Sequence, residues 1–170
     1  MGIINLLSKA VDALPVVMDI LDKCSGDSSN SSNVATGDPD ELIEECEEYL
    51  LELSKYTIDD LDQFLDCLTK FERRWLKLDR IDCSSDDKSI SDELNHLDQK
   101  KEKAIERMEK DFDELLDKID ADCKAENDPE KWQALTEKWY EYFNEKNRIL
   151  DHRFEFSKKL SKQACDFLNG

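Results

Sequence analysis

The sequence predicts an all-α protein, an elongated helical bundle with a long antiparallel coiled-coil hairpin. Charged residues make up 39% of the 170 residues and apolar residues another 39%, with only 4 Gly and 3 Pro. This balance is typical of long solvated helices rather than of a β or α/β domain. Apolar side chains also recur every three or four residues along most of the chain, which is the spacing of one face of a helix.

The first predicted element is an amphipathic helix over residues 1–23. Charges such as Lys9 and Asp12 interrupt its apolar residues, whereas a transmembrane helix needs about 20 nearly uninterrupted ones. Residues 24–37 are rich in Ser, Asn and Gly, and we expect a flexible linker because this composition cannot bury enough apolar surface to stay ordered. The helix could pack on the body, dock on a partner or touch lipid. Its acidic residues make lipid the weaker expectation, since interfacial helices carry Lys and Arg on their polar face.

An acidic helical hairpin is predicted for residues 38–82. Asp38 and Pro39 form a strong helix start, because Asp is a preferred N-cap and Pro suits the first helical position. A second cap lies between Thr57 and Asp60. Apolar residues follow each cap at helical spacing, so two short helices joined by a turn are expected. A polar break over residues 83–89 follows the hairpin.

A long antiparallel helical hairpin is predicted for residues 90–170. From Ile90 to Ile119 the apolar residues keep a near-heptad rhythm, with Lys101 as the polar exception. The Asn-Asp-Pro turn that ends at Pro129 closes the first helix and starts the second. Two long helices joined by so short a turn should pack antiparallel.

The net charge of the chain distinguishes between the possible classes of partner. The formal net charge of −18 argues against nucleic acid, whose phosphates are bound by Lys and Arg. It favours a basic protein partner, although the same charge could simply keep the protein soluble. Between Asp38 and Asp66 there are twelve acidic residues and one base, Lys55, which is either a docking surface or a solvated helix face. The candidate partner-binding residues in this segment are Glu41, Glu44, Glu45, Glu47, Glu48, Glu52, Asp59, Asp60 and Asp62.

Aromatic residues are concentrated between Trp132 and Phe156. The seven-residue spacing of Trp132 and Trp139 is that of a helix packed against a neighbour, so most of this group is expected in the core. Trp132 and Tyr140 are the expected exceptions. Because Trp and Tyr dominate the hot spots of protein interfaces, these two residues join the candidate partner-binding set.

Catalytic and metal-binding patterns are missing from the sequence. The six cysteines include no C-x-x-C pair and nothing resembles an export signal, so we expect reduced thiols and a cytoplasmic protein. Glu93-x-x-His96 is one half of a di-iron motif that helical bundles use twice, and the second half is missing around His152. No catalytic triad order or phosphate-binding loop occurs. We therefore expect no metal, no cofactor and no enzymatic activity.

These observations favour a non-enzymatic protein-binding module that inhibits or chaperones a basic partner through the acidic segment, of the immunity-protein, antitoxin or secretion-adaptor type. The alternative is a self-assembling coiled-coil or membrane-associated scaffold, a homo-oligomer through the long hairpin with residues 1–23 as its anchor. The plan of a Met-Gly start, an amphipathic helix and a long helical hairpin resembles the membrane-remodelling phage-shock and ESCRT-type proteins. That resemblance implies a first helix that binds anionic lipid.

Overall fold

The all-α prediction is confirmed by the computed structural model, which describes residues 37–84 and 88–169. This part contains α1 (Pro39–Leu53), a 3₁₀ turn (Ile58–Asp60), α2 (Leu61–Cys83), α3 (Lys88–Ala125) and α4 (Pro129–Asn169), and it has no strand. The predicted helix over residues 1–23, and its linker as far as residue 36, lie outside the described residues. The chain divides into two compact units: the described residues up to Phe156 belong to one, and those from Ser157 onward belong to the other. No helix of the described part is apolar over a stretch long enough to cross a bilayer.

Helix α1 begins at the predicted cap. Asp38 accepts a hydrogen bond from the backbone N–H of Asp40 at 3.0 Å, and Pro39 occupies the first helical position, where its missing N–H leaves no bond unmade. The helix packs against α2 and α3. Its buried stripe consists of Leu42, Cys46, Leu50 and Leu53. None of its acidic residues is buried.

The predicted cap before α2 is also present. Asp60 accepts hydrogen bonds from the backbone N–H of Thr57 at 3.1 Å and from its hydroxyl at 2.9 Å. These two bonds hold the pKa of Asp60 below its ordinary value. The apolar side chains that α2 buries are Leu61, Phe64, Cys67, Leu68, Phe71 and Leu78. Phe64 and Phe71 are fully buried and belong to the core that α1, α2 and α3 share.

Helix α3 runs parallel to α1. Lys100 of α3 lies 2.7 Å from Glu47, and about two turns further along α3 Arg107 donates to the carbonyl of Leu53 at 2.9 Å. Residue numbers therefore rise together along the two helices. Arg107 also donates to the carbonyl of Tyr56 at 3.0 Å, so one guanidinium satisfies two carbonyls where α1 ends.

Helices α3 and α4 are antiparallel within the larger unit. Asp113 pairs with Lys146, and Glu102 lies 3.0 Å from Arg153. Residue numbers therefore fall along α3 as they rise along α4, which is the predicted direction. The coiled-coil geometry of this pair remains a prediction.

Lys101 is buried at the place where it interrupts the apolar rhythm of α3. Its ammonium nitrogen lies 2.6 Å from Asp98 and 3.3 Å from Glu102. It also lies 4.6 Å from the ring centre of Phe156 on α4, a distance at which an aromatic face attracts a cation. The buried charge is thus matched by carboxylates and a ring.

Part of the α3–α4 pair extends beyond the end of the α1–α2 hairpin. Arg107 contacts the end of α1, and Arg148 pairs with Asp62 at the start of α2. Beyond Arg107, α3 continues to residue 125, and α4 begins at residue 129, before Arg148. The part of α3 beyond Arg107 is about 27 Å long at 1.5 Å per residue. We call residues 113–125 and 129–146 the two-helix arm.

The arm has a thin core. Leu116 and Ile119 of α3 are buried there, while Leu135, Trp139 and Tyr142 of α4 are half-buried. Because each helix of a pair meets only one neighbour, it can bury only one face. The other faces of the arm remain open to solvent.

One sequence-based prediction about the cysteines is wrong. Cys165 is disulfide-bonded, whereas Cys46, Cys67, Cys83 and Cys123 are free thiols. Cys24 lies outside the described residues. Isolation in the sequence does not exclude a disulfide, because the distance between two cysteines in the folded chain decides whether they can pair.

Candidate functional site

The acidic segment places most of its charge on α1. This helix contains seven acidic residues and no base. At roughly 100° per residue, four of the acids lie within one arc of the helix surface, on the side away from the buried stripe. These four are Asp40, Glu41, Glu44 and Glu48, and all are exposed. We call them the open acidic face.

The carboxylates of the open acidic face form no hydrogen bond or ion pair with any described residue. Leu51 lies on the same arc and is 64% exposed. An apolar side chain beside unpaired carboxylates gives the face both charge and a contact surface. Leu51 and Asp40 were not among the sequence-based candidates, although their helical positions relative to Glu44 place them beside it.

Three of the predicted site residues instead pair with cations on other helices. Glu45 pairs with Arg74 of α2, Glu47 with Lys100 of α3, and Asp62 with Arg148 of α4. Each carboxylate is therefore already matched by a cation on another helix. The sequence could not reveal this, because the partners are separated by many residues along the chain.

Glu52, Asp59 and Asp60 have different roles. Glu52 accepts a hydrogen bond from the hydroxyl of Tyr56 at 2.9 Å, which raises the pKa of Tyr56 to about 12. Asp60 is committed to the cap before α2. Asp59 is exposed and has no partner among the described residues.

A shallow pocket lies between α1 and α2, next to the open acidic face. Its lining residues are Tyr49, Glu52, Tyr56, Gln63, Asp66, Cys67 and Lys70. Two carboxylates and two phenol rings surround an opening that contains one cation, Lys70, paired with Asp66 at 2.6 Å. Such a lining suits a cationic side chain, because rings and carboxylates both attract positive charge.

Trp132 and Tyr140 lie on α4, apart from the acidic face. They are exposed, as predicted. The contact between the acidic segment and α4 is made by Asp62 with Arg148, two turns or more along α4 from Tyr140 and Trp132. The predicted site residues therefore form two surfaces rather than one.

The prediction that most of the aromatic group lies in the core is wrong. Phe143 and Phe154 are exposed together with Trp132 and Tyr140, and only Phe156 is buried. The physical reason for the first part of α4 is the two-helix arm, whose outer face is covered by no further helix of residues 37–84 and 88–169. Sequence spacing showed the stripe but not the number of helices around it.

The histidines are far from the arrangement that a di-iron site needs. His96 is exposed, and His152 contacts Glu72 at 2.9 Å rather than the neighbouring Glu155. No group of three or more potential metal-ligating side chains is brought together within the described ranges.

Comparisons with protein-family models, with curated proteins and with solved structures gave no match.

Proposed function

We propose that the protein is a non-enzymatic binding module that inhibits or chaperones a basic partner protein, and that it docks through the open acidic face of α1. The observation that carries the proposal is that these carboxylates have no partner among the described residues. Neighbouring acids of the same helix are paired with α2 and α3, so the acids of α1 divide into a structural set and an open set.

The open set serves the stability of the helix only at its first turn, where Asp40 and Glu41 lie next to the positive end of the helix dipole. Asp40, Glu44 and Glu48 follow one another at intervals of four residues, where like charges on a helix repel. Helix α1 contains no base that would relieve this repulsion. A basic partner would relieve this repulsion, and the relief makes the free energy of association more favourable.

The geometry also suggests what the partner presents. Carboxylates four residues apart are about 6 Å apart along the helix, so a partner with a row of Lys or Arg at similar spacing fits the face. Leu51 supplies an apolar contact beside the charges. The pocket between α1 and α2 accommodates one further cationic side chain against Glu52 and the rings of Tyr49 and Tyr56.

An acidic surface of this kind supports the immunity-protein, antitoxin or secretion-adaptor classes. In each class the acidic module covers a basic surface of its partner. The covered partner is thereby kept inactive or kept in a state that can be secreted. Long-range attraction between an acidic module and a basic partner increases the association rate and makes it depend on salt.

The proposal is tested by affinity capture from the native lysate with the wild type and with a Glu44→Lys/Glu48→Lys variant. We expect one basic protein to be retained by the wild type at about 50 mM salt and released at about 500 mM, because screening weakens exposed charge pairs. The variant should not retain it. Binding of the identified protein, once purified, is then measured by titration calorimetry.

The matched control is a Glu93→Lys/Asp122→Lys variant, which makes the same change in net charge at two exposed positions of α3. It should bind the partner almost as well as the wild type. If both variants lose binding equally, net charge rather than the open acidic face is responsible and the proposal fails. Recovery of only the chain itself, or of lipid, would favour the self-assembling or membrane-associated scaffold.

A further inference from the structure

One side of α4 contains no charged residue between Pro129 and Phe154. Ten of the 26 residues in this stretch are acidic or basic. At 100° per residue, however, an arc of roughly 100° around the helix contains only Pro, Trp, Thr, Tyr, Phe, Asn and Leu. We call its six large side chains the uncharged face: Trp132, Trp139, Tyr140, Phe143, Leu150 and Phe154.

The uncharged face is open to solvent. Trp139 is half-buried, and the other five side chains are 39–58% exposed. At roughly 200 Å² for a large apolar side chain, these five offer about 500 Å² of surface. A contiguous apolar patch of this size on a monomer marks an interaction site. Two such patches in contact would bury about 1,000 Å², the lower limit for a specific protein interface.

The aromatic rings at the middle of the uncharged face are fixed by contacts with one another. Trp139 stacks on Phe143 with ring centres 5.0 Å apart and planes 11° from parallel. Tyr140 meets Trp139 edge to face at 5.4 Å. Rings held in this way lose little conformational entropy when a partner covers them, which is the property of an interface anchor.

The edges of the uncharged face are polar. Lys146, on the edge towards α3, pairs with Asp113. The opposite edge contains Gln133, Asn144 and the exposed Asp151. An apolar centre within a polar rim is the composition of a protein interface. A partner with charged side chains at its own centre would bury them against apolar ones at a large cost in free energy, so the complementary surface is itself uncharged.

The net negative charge of the chain does not lie on α4. This helix contains seven acidic and eight basic residues, whereas α1 contains seven acidic residues and no base. Two copies of the chain can therefore meet through α4 without bringing an excess of carboxylates together.

We propose that the uncharged face of α4 docks a second copy of the same face, related to the first by a two-fold axis. In such an isologous contact one patch meets itself, and a patch without charge needs no partner of opposite sign. This interface goes beyond the open acidic face, which lies on another helix. An anionic membrane is the poorer occupant, because it repels a chain with a formal charge of −18.

The two α4 helices run antiparallel in this dimer and meet near Phe143, the middle of the face. The α1–α2 hairpin of each copy contacts its α4 at Arg148, beyond that middle, so the two hairpins point in opposite directions. The acidic residues of the two α1 helices thus stay apart, and salt screens the remaining repulsion.

The test is sedimentation equilibrium of the full chain over a wide range of concentration. We expect a monomer in equilibrium with a dimer and no larger species, because an isologous contact closes at two copies. Raising the salt from about 50 mM to about 500 mM should not dissociate the dimer, since burial of apolar surface is not screened by salt. Dilution should shift the tryptophan emission to longer wavelength as Trp132 and Trp139 return to water.

Two variants locate the interface. Phe143→Glu and Leu150→Glu should each raise the Kd of the dimer about tenfold or more, because each places a carboxylate in the apolar contact. The matched control Ala134→Glu adds the same charge at an exposed position on the opposite side of α4 and should leave the Kd within about twofold, as surface substitutions do. Far-UV circular dichroism and thermal unfolding of each variant check that the fold is kept.

A chain that stays monomeric at every concentration would overturn the inference. So would a dimer that neither Phe143→Glu nor Leu150→Glu weakens, or one that a non-reducing gel shows to be joined by a disulfide. Two further results would overturn it by assigning the face to another occupant. These are dimerisation only after residues 1–23 are removed, and binding of a monomeric chain to lipid vesicles that Phe143→Glu abolishes.

The result is independent of the proposed function. The Glu44→Lys/Glu48→Lys variant should dimerise as the wild type does, even if it loses the basic partner of α1. Phe143→Glu should still retain that partner, because the open acidic face lies on another helix. Failure of one proposal is therefore distinguishable from failure of the other.

Discussion

Glu72 of α2 and His152 of α4 contact each other across the bundle, with Oε2 and Nε2 2.9 Å apart. The side chain of Glu72 is 4% exposed and that of His152 is 16% exposed. The pair lies near the edge-to-face contact of Trp75 with Phe156, which joins the same two helices at a ring distance of 6.0 Å. A polar link thus accompanies the apolar packing between α2 and α4.

Replacing His152 should destabilise the fold more than an ordinary surface substitution. His152→Ala leaves the carboxyl group of Glu72 buried without its partner, and a buried polar group left unsatisfied costs about 1–3 kcal/mol. The free energy of unfolding is measured by urea denaturation followed by circular dichroism.

The double variant Glu72→Leu/His152→Leu is the control for that prediction. It removes both partners and fills the space with apolar side chains, so it should be clearly more stable than His152→Ala. A loss of less than about 1 kcal/mol in His152→Ala would instead show that water reaches the carboxylate of Glu72.

Arg107 should stabilise the end of α1 through its two carbonyl contacts. Arg107→Met keeps the apolar stem but removes the donors to Leu53 and Tyr56, and we expect a loss of about 2 kcal/mol because charged donors make strong hydrogen bonds. Amide exchange in the last turn of α1 should become faster, while exchange in α2 changes little. Lys103→Met, at an exposed position of α3, is the control; if it has the same effect, loss of positive charge rather than loss of the two bonds is the cause.

The parts of the fold that depend on neighbouring residues could be predicted from the sequence. The caps at Asp38 and at Thr57–Asp60 are made within three residues, and the apolar period is a local property of each helix. Which acidic residues of α1 form ion pairs could not be predicted, because the paired Glu45 and Glu47 lie in the same run as the unpaired Glu44 and Glu48. Only the packing of α2 and α3 decides which of them meet a cation.

Predicting the exposure of Trp132, Tyr140 and Phe143 required the same kind of information. Trp132 and Trp139 have the spacing of core residues, and in a complete bundle a third helix would cover them. The sequence contains no signal that α1 and α2 end before the arm begins. The contacts of Arg107 and Arg148 show where they end.

Glu109 should make the fold less stable as the pH rises. Burial raises the pKa of Glu109 above its ordinary value of 4.5, and the nearby Arg153 and Lys146 only partly offset this. The native state then binds the proton more tightly than the unfolded chain does, so stability is lost as the pH rises from 4.5 through the raised native pKa. Glu109→Gln removes the charge of the buried carboxyl group, and Arg153 keeps its ion pair with Glu102, 3.0 Å away.

We therefore expect Glu109→Gln to be more stable than the wild type near pH 7.5 and nearly equal to it at about pH 3.5, where the carboxyl is protonated in both states. Urea unfolding at the two pH values measures the difference. If the variant is less stable than the wild type at the higher pH, the attraction between the Glu109 carboxylate and Arg153 outweighs the cost of burying that carboxylate.

The cysteines should differ in reactivity according to burial. Burial raises the pKa of Cys46 to about 12 and that of Cys67 to about 11, and the thiolate is the reactive form. Cys83 is exposed and Cys123 is half-buried. Iodoacetamide near pH 8 should thus modify Cys83 and Cys123 in the native protein and leave Cys46 and Cys67 unmodified, as read by peptide mapping with mass spectrometry.

Unfolding in urea should make Cys46 and Cys67 as reactive as Cys83, because the protection comes from packing rather than from the local sequence. Cys165 should stay unmodified in urea until a reductant is added, since its sulfur is in a disulfide. Rapid native modification of Cys46 would mean that α1 separates from α2 on the time scale of the labelling. The open acidic face would then lie on a helix whose position changes, and a basic partner would bind more tightly to a variant in which α1 is held in place.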